Sequence, residues 1–162
     1  MSWLAAIGGM LLAAFGLVVI FGAPYLPTRR RQREAALDLL SLKPGQVFYD
    51  LGCGDGSMLL AAARRGLQAT GYELNPVLTL VAWLRTRRYG RQVKVRWGSF
   101  WRADIADADG IFVFLINHYM SRLDRMLESK KGTKPLKLVS YSFQIPGRKP
   151  VQKSGAMLLY KY

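Results

Sequence analysis

The sequence predicts an α/β fold: a doubly wound, mostly parallel sheet with helices on both faces, preceded by one transmembrane helix. Three observations lead there. Apolar β-type runs alternate with helical stretches through residues 46–162. The first of those runs closes in a glycine-rich turn, "YDLGCGDGS". An uncharged stretch, "WLAAIGGMLLAAFGLVVIFGA", lies upstream of both.

That stretch, Trp3 to Ala23, is 21 residues long. As a helix it would span roughly 31 Å, close to the hydrocarbon thickness of a bilayer. Arg29, Arg30, Arg31 and Arg33 follow it and no Lys or Arg precedes it. The positive-inside rule then places the following domain on the cytoplasmic side of a single-pass membrane protein, at the inner membrane if bacterial. A cleaved leader would want a basic start and a shorter apolar core. The expected division is an anchor over residues 1–24, a connector and first helix over 25–45, and one domain over 46–162.

The remaining elements follow in order. Pro24 and Pro27 stiffen the connector, and Thr28 is the expected N-cap of a helix carrying Ala36, Leu37, Leu40 and Leu42 on one side. Strands are expected at Val47 to Leu51, Gln68 to Glu73, Gln92 to Trp97, Gly110 to Ile116 and Leu136 to Phe143. Helices are expected at Ser57 to Arg65, Pro76 to Tyr89 and Tyr119 to Lys130. The tail "GAMLLYKY" reads as a last strand, paired back as a hairpin through Gly147 to Ser154 to give an antiparallel edge.

Composition narrows the chemistry. The single cysteine, Cys53, excludes an intrachain disulfide, and one His with one Cys cannot build a zinc site of the usual kind. The net charge of +14 leaves nucleic acid, anionic lipid and an acidic partner open.

In a doubly wound sheet the ligand lies at the carboxyl ends of the strands, so the loop after the first strand is the expected cradle. Gly52, Gly54 and Gly56 allow close backbone approach there. A dinucleotide loop would carry glycine where this chain has Ser57. Asp50 and Asp55 also raise the cost of binding a pyrophosphate and suit a ligand that carries positive charge. S-adenosylmethionine has a sulfonium and an ammonium and one carboxylate. Glu73 ends the second strand 21 residues after Gly52, where an acid accepts hydrogen bonds from ribose hydroxyls.

With these motifs, and with "PYLPT" and "GYELNP" beside them, the chain resembles class I, seven-strand S-adenosylmethionine-dependent methyltransferases of Rossmann-like fold. The resemblance runs from about Pro24 to Phe143. The closer resemblance is to a branch with an N-terminal membrane segment that includes the protein-lysine methyltransferases of the ATP synthase c subunit and the adenine nucleotide translocase. It implies S-adenosyl-L-methionine as cofactor. The implied binding residues are Asp50, Gly52, Cys53, Gly54 and Gly56 in the first loop, Glu73 and Leu74 after the second strand, and Ser99 and Phe100 after the third. The chain departs from the family at Ser99, where relatives usually carry an acid, and at "LINHYM", where they often carry a proline-containing turn. Asn117, His118 and Tyr119 are the substrate-side candidates, and no catalytic residue is assigned. His118 suits a general base and a capping role equally well.

The expected activity is protein-lysine methylation of a membrane protein. Two alternatives stand beside it: methylation of a small or lipid-like molecule at the bilayer, and a tethered binding module without catalysis. Little chain follows the fifth strand to form a lid, so an open site is expected. Arg85, Arg87, Arg88, Arg91, Lys94 and Arg96 crowd one segment with Trp83, Tyr89 and Trp97 between them. An anionic lipid surface ranks first as their partner, a solvated face second and nucleic acid third. The oligomeric state is not legible.

Overall fold

Strand and helix alternate through the chain, as a computed structural model that describes residues 3–9 and 28–162 shows. Helix α1 (Arg30–Leu40) leads into β1 (Val47–Leu51), α2 (Ser57–Arg64), β2 (Gln68–Glu73), α3 (Pro76–Thr86) and β3 (Val93–Trp97). Then come β4 (Gly110–Val113), α4 (Met120–Lys130), β5 (Lys137–Tyr141) and the hairpin β6 (Gln152–Ser154) and β7 (Met157–Lys161). The seven strands form one sheet in the order β3-β2-β1-β4-β5-β7-β6. β1 to β5 pair in parallel, and β7 runs antiparallel to both β5 and β6. From β1 the chain steps outward to β3 on one side and, from β4, outward on the other. The loops after β1 and β4 therefore part where strand order reverses, which opens a crevice at their carboxyl ends.

Both faces of the sheet are covered, so its central strands read as continuous apolar runs rather than alternating ones. Phe48, Phe112 and Val139 pack on one face beneath Leu37, Leu40, Leu59 and Ala62 of α1 and α2. Tyr49, Leu51, Ile111, Val113 and Leu138 pack on the other beneath Met120, Leu123 and Leu127 of α4. The period of two along β1 thus sends Phe48 to one layer and Tyr49 to the other.

Several boundaries differ from the expected ones for local reasons. Arg29, not Thr28, caps α1, with its backbone N–H donating to the Gln32 side chain at 2.8 Å. α3 stops at Thr86, whose hydroxyl donates back to the Ala82 carbonyl at 2.8 Å. A 3-10 turn then carries Gly90 at φ 52°. β4 ends at Val113 and the chain leaves the sheet, so Asn117–Tyr119 form a 3-10 turn ahead of α4.

The expected transmembrane helix and single-pass placement are corrected: among the described residues no helix is long and apolar enough to cross a membrane. The rest of the expected span lies outside the described residues.

Candidate functional site

The loop after β1 is held by the backbone of β2. The N–H groups of Gly52 and Cys53 both donate to the Tyr72 carbonyl, each at 2.9 Å. Gly52, Gly54 and Gly56 sit at φ 99°, 53° and 76°, a region that side-chain-bearing residues rarely adopt. Two of them do different work. A Cβ at Gly56 would meet the Cβ and Cα of Ala82 at 3.0 and 3.1 Å, so this glycine lets α2 and α3 approach each other. A Cβ at Gly52 would meet nothing within 4 Å, so this one borders open space above the loop.

Glu73 closes β2 facing that loop. One carboxylate oxygen accepts the Gly54 N–H at 2.9 Å and the other accepts the Asn75 N–H at 2.8 Å. Each oxygen keeps a lone pair, which matches the two hydroxyls of a ribose. Asn75 is buried and caps α3, its side-chain oxygen accepting from Val77 and Leu78. This cap and Pro76 in the first helical turn fix the "ELNP" corner and with it the direction of Glu73.

Asp50 lies between Gly71 of β2 and Phe112 of β4 in the sheet register. It is buried, and burial together with the carboxylates of Glu73 and Asp55 pushes its pKa up to about 8. A cation placed against it would remove that penalty, and a pyrophosphate would deepen it. Asp55 has a different role from the one its position implied. It accepts from the Ser57 N–H at 3.1 Å and the Ser57 hydroxyl at 2.8 Å, and it pairs with Arg85 of α3. Burial alone would raise its carboxyl, but these donors hold it below the usual range. Of the two acids in the motif, Asp55 is thus engaged within the chain.

A pocket of about 530 Å³ opens beside this cradle, lined by Tyr72, Trp97, Ser99, Trp101, Arg102 and Arg122 among others. Ser99 stands at the start of the short turn Phe100–Arg102, with no cap hydrogen bond from its side chain. Phe100 and Trp101 lie with ring centroids 4.5 Å apart, Trp101 and Tyr119 6.1 Å, and Tyr119 and His118 5.1 Å. An aromatic wall therefore joins the loop after β3 to the loop after β4. The Arg122 guanidinium sits 4.2 Å from the Trp101 ring centre, so that face of the indole is already taken by a cation. Lys130 of α4 anchors the wall from behind, donating to the carbonyls of Trp101 at 3.1 Å and Ala103 at 2.8 Å.

The structure thus gathers Asp50, Gly52, Gly54 and Glu73 into one cradle. Leu74 is exposed at its rim and accepts the Trp97 indole N–H at 3.1 Å through its carbonyl. Cys53 turns inward: a Cβ on Gly71 would fall 2.7 Å from its Sγ, and burial, then Asp50, pushes its thiol pKa up. Its contribution to the cradle is its backbone. Asn117 and His118 are exposed at the end of β4, with Tyr119 half-buried beside them. Tyr72, Arg122 and Lys130 were not singled out from the sequence. The strand period of two, which turns Tyr72 to the face opposite Gly71, was the available signal for the first; the other two carried none.

The sequence profile of the ANTKMT methyltransferase domain matches residues 50–152. The adenine nucleotide translocase lysine N-methyltransferase of Mus musculus is 36% identical over 135 residues, covering 82% of this chain and 58% of that protein. The lysine N-methyltransferase of the ATP synthase c subunit from Xenopus laevis is 31% identical over 134 residues, covering 76% and 59%. A protein-lysine N-methyltransferase of Saccharolobus islandicus is 30% identical over 133 residues, covering 78% and 81%. The chain thus spans about three-fifths of the length of the two animal relatives. Among solved structures, an RNA methyltransferase of Salinibacter ruber in complex with S-adenosyl-L-homocysteine superposes with a TM-score of 0.76 at 26% identity, covering 85% of this chain and 92% of that one.

Proposed function

Because this chain belongs to the ANTKMT methyltransferase domain family, we propose that it transfers a methyl group from S-adenosyl-L-methionine to a lysine side chain of a protein. The observation that carries the cofactor is the pairing of Asp50 and Glu73 across the glycine loop. Glu73 is fixed by two backbone N–H groups with acceptor capacity to spare, and Asp50 is a buried acid that a cation would relieve. A cofactor carrying a ribose and two positive centres fits both. Gly52 leaves room for close approach, and the aromatic wall from Phe100 to His118 bounds the neighbouring space.

When bound, the cofactor supplies an electrophilic methyl group on a sulfonium. The chain's own residues do the rest by positioning. Asp50 and Glu73 hold charge and ribose, the backbone of residues 52–54 forms the floor, and Tyr119 and His118 stand where an acceptor side chain enters. The acceptor amine must arrive without its proton, and aromatic faces at the entrance favour the methylated ammonium that results. Lysine as acceptor is supported by the three relatives above, all named lysine N-methyltransferases.

A nucleic-acid acceptor is the second reading, favoured by the fold match to an RNA methyltransferase and by the basic run from Arg85 to Arg96. One experiment separates the two. Full-length protein is incubated with methyl-labelled cofactor and a cell extract, and label is followed into protein and RNA. Label in protein that hydrolyses to methyl-lysine supports the proposal; label in RNA alone replaces it with the second reading.

A further inference from the structure

α3 presents an apolar face that nothing among the described residues covers. Only Ala82 and Thr86 of its 11 residues are buried. Val77, Leu80, Trp83 and Leu84 are 46%, 56%, 53% and 44% exposed. At 100° per residue these four fall within one arc of about 120°, so they form one continuous stripe rather than scattered contacts. Trp97, 71% exposed on edge strand β3, extends it through the hydrogen bond to Leu74.

The stripe is bordered by one sign of charge. Residues 74–103 contain seven Lys and Arg and no Asp or Glu. Arg85 is engaged with Asp55, but Arg87, Arg88 and Arg91 are exposed just beyond the C-terminal end of α3, while Lys94 and Arg96 are exposed on the face of β3 opposite Val93 and Val95. An apolar, tryptophan-bearing helix face with a basic border is the pattern of a helix that lies in a bilayer interface. The net charge of +14 opposes a second copy of the chain as the occupant.

We propose that α3 and the end of β3 form a docking surface for an anionic lipid bilayer, bound peripherally with the stripe in the headgroup region and no segment of it crossing. Glu73 and Asn75 stand at the N-terminus of the same helix, so docking would bring the cradle's rim to the lipid surface. This inference does not depend on lysine being the methyl acceptor.

The test is flotation of the full-length protein with phosphatidylglycerol-containing vesicles and with phosphatidylcholine vesicles. It is run on wild type, on Leu80→Ser with Leu84→Ser, and on Arg87→Glu with Arg88→Glu. Both pairs are exposed, so circular dichroism should be unchanged. Expected is binding to the anionic vesicles with a loss of about tenfold or more in each double variant, and quenching by brominated acyl chains that falls in Trp83→Phe. Binding that is the same in all variants would mean another segment carries it, and would overturn the proposal. So would an absence of binding, or self-association that disappears in Leu80→Ser with Leu84→Ser.

Discussion

Glu73 accepts the backbone N–H of Gly54 at 2.9 Å, a contact between the end of β2 and the tip of the loop after β1. One side chain therefore sets the shape of the floor and supplies the acceptor for a ribose. Glu73→Ala removes both roles. Charge-assisted hydrogen bonds contribute about 1.5–3 kcal/mol each, so cofactor affinity should fall at least about tenfold. Glu73→Gln keeps one acceptor oxygen and should fall between wild type and Ala in a binding titration.

Asp50 makes binding and stability depend on pH in opposite senses. Its folded-state pKa of about 8 lies above the ordinary carboxyl value. The stability it adds to the ligand-free protein is thus fully present below the unfolded value, near pH 4, and is lost as pH rises through 8. A cationic ligand selects the ionised form, so affinity should rise up to about tenfold per pH unit below 8 and level off above it. Titrations from pH 6 to 9 beside thermal melts check both slopes. Asp50→Asn should flatten both and weaken binding throughout.

Gly52 and Gly56 should separate packing from ligand approach. Both hold positive φ, so alanine strains each. Only at Gly56 does the new Cβ also meet the Ala82 backbone. Gly56→Ala should cost about 2–3 kcal/mol and lower the melting temperature by several degrees. Gly52→Ala should melt closer to wild type while losing cofactor affinity, because its Cβ projects into the open cradle.

Lys130 is a positioning residue. Lys130→Met keeps the alkyl stem and removes the two hydrogen bonds to the carbonyls of Trp101 and Ala103. The loop carrying Ser99 and Phe100 should loosen. KM for the cofactor should rise several-fold with kcat little changed, and a fall in kcat alone would count against this role.

Much of the cradle was legible because its signals are local. Asp50, Gly52, Gly54 and Glu73 follow from strand ends and turn chemistry, and β1 and β2 appear at their expected limits. Features that depend on distant partners were not legible. Asp55 looked like a second ligand-facing acid because nothing in "GDGS" shows that Arg85, 30 residues away, turns back onto it. α3 looked three residues longer because its apolar pattern continues to Tyr89, whereas the Thr86 hydroxyl bonds the preceding turn. The exposure of its apolar stripe was hidden for the same reason. Periodicity shows that a helix has an apolar face, and the sheet decides whether that face is covered.

The most direct test of the Asp50 and Glu73 cradle is isothermal titration of the full-length protein with S-adenosyl-L-methionine, for wild type, Glu73→Ala and Asp50→Asn. One saturable site is expected in wild type, at least tenfold weaker in Glu73→Ala and weaker in Asp50→Asn. No binding in wild type, or equal binding in all three proteins, would contradict a cofactor site built on these two acids.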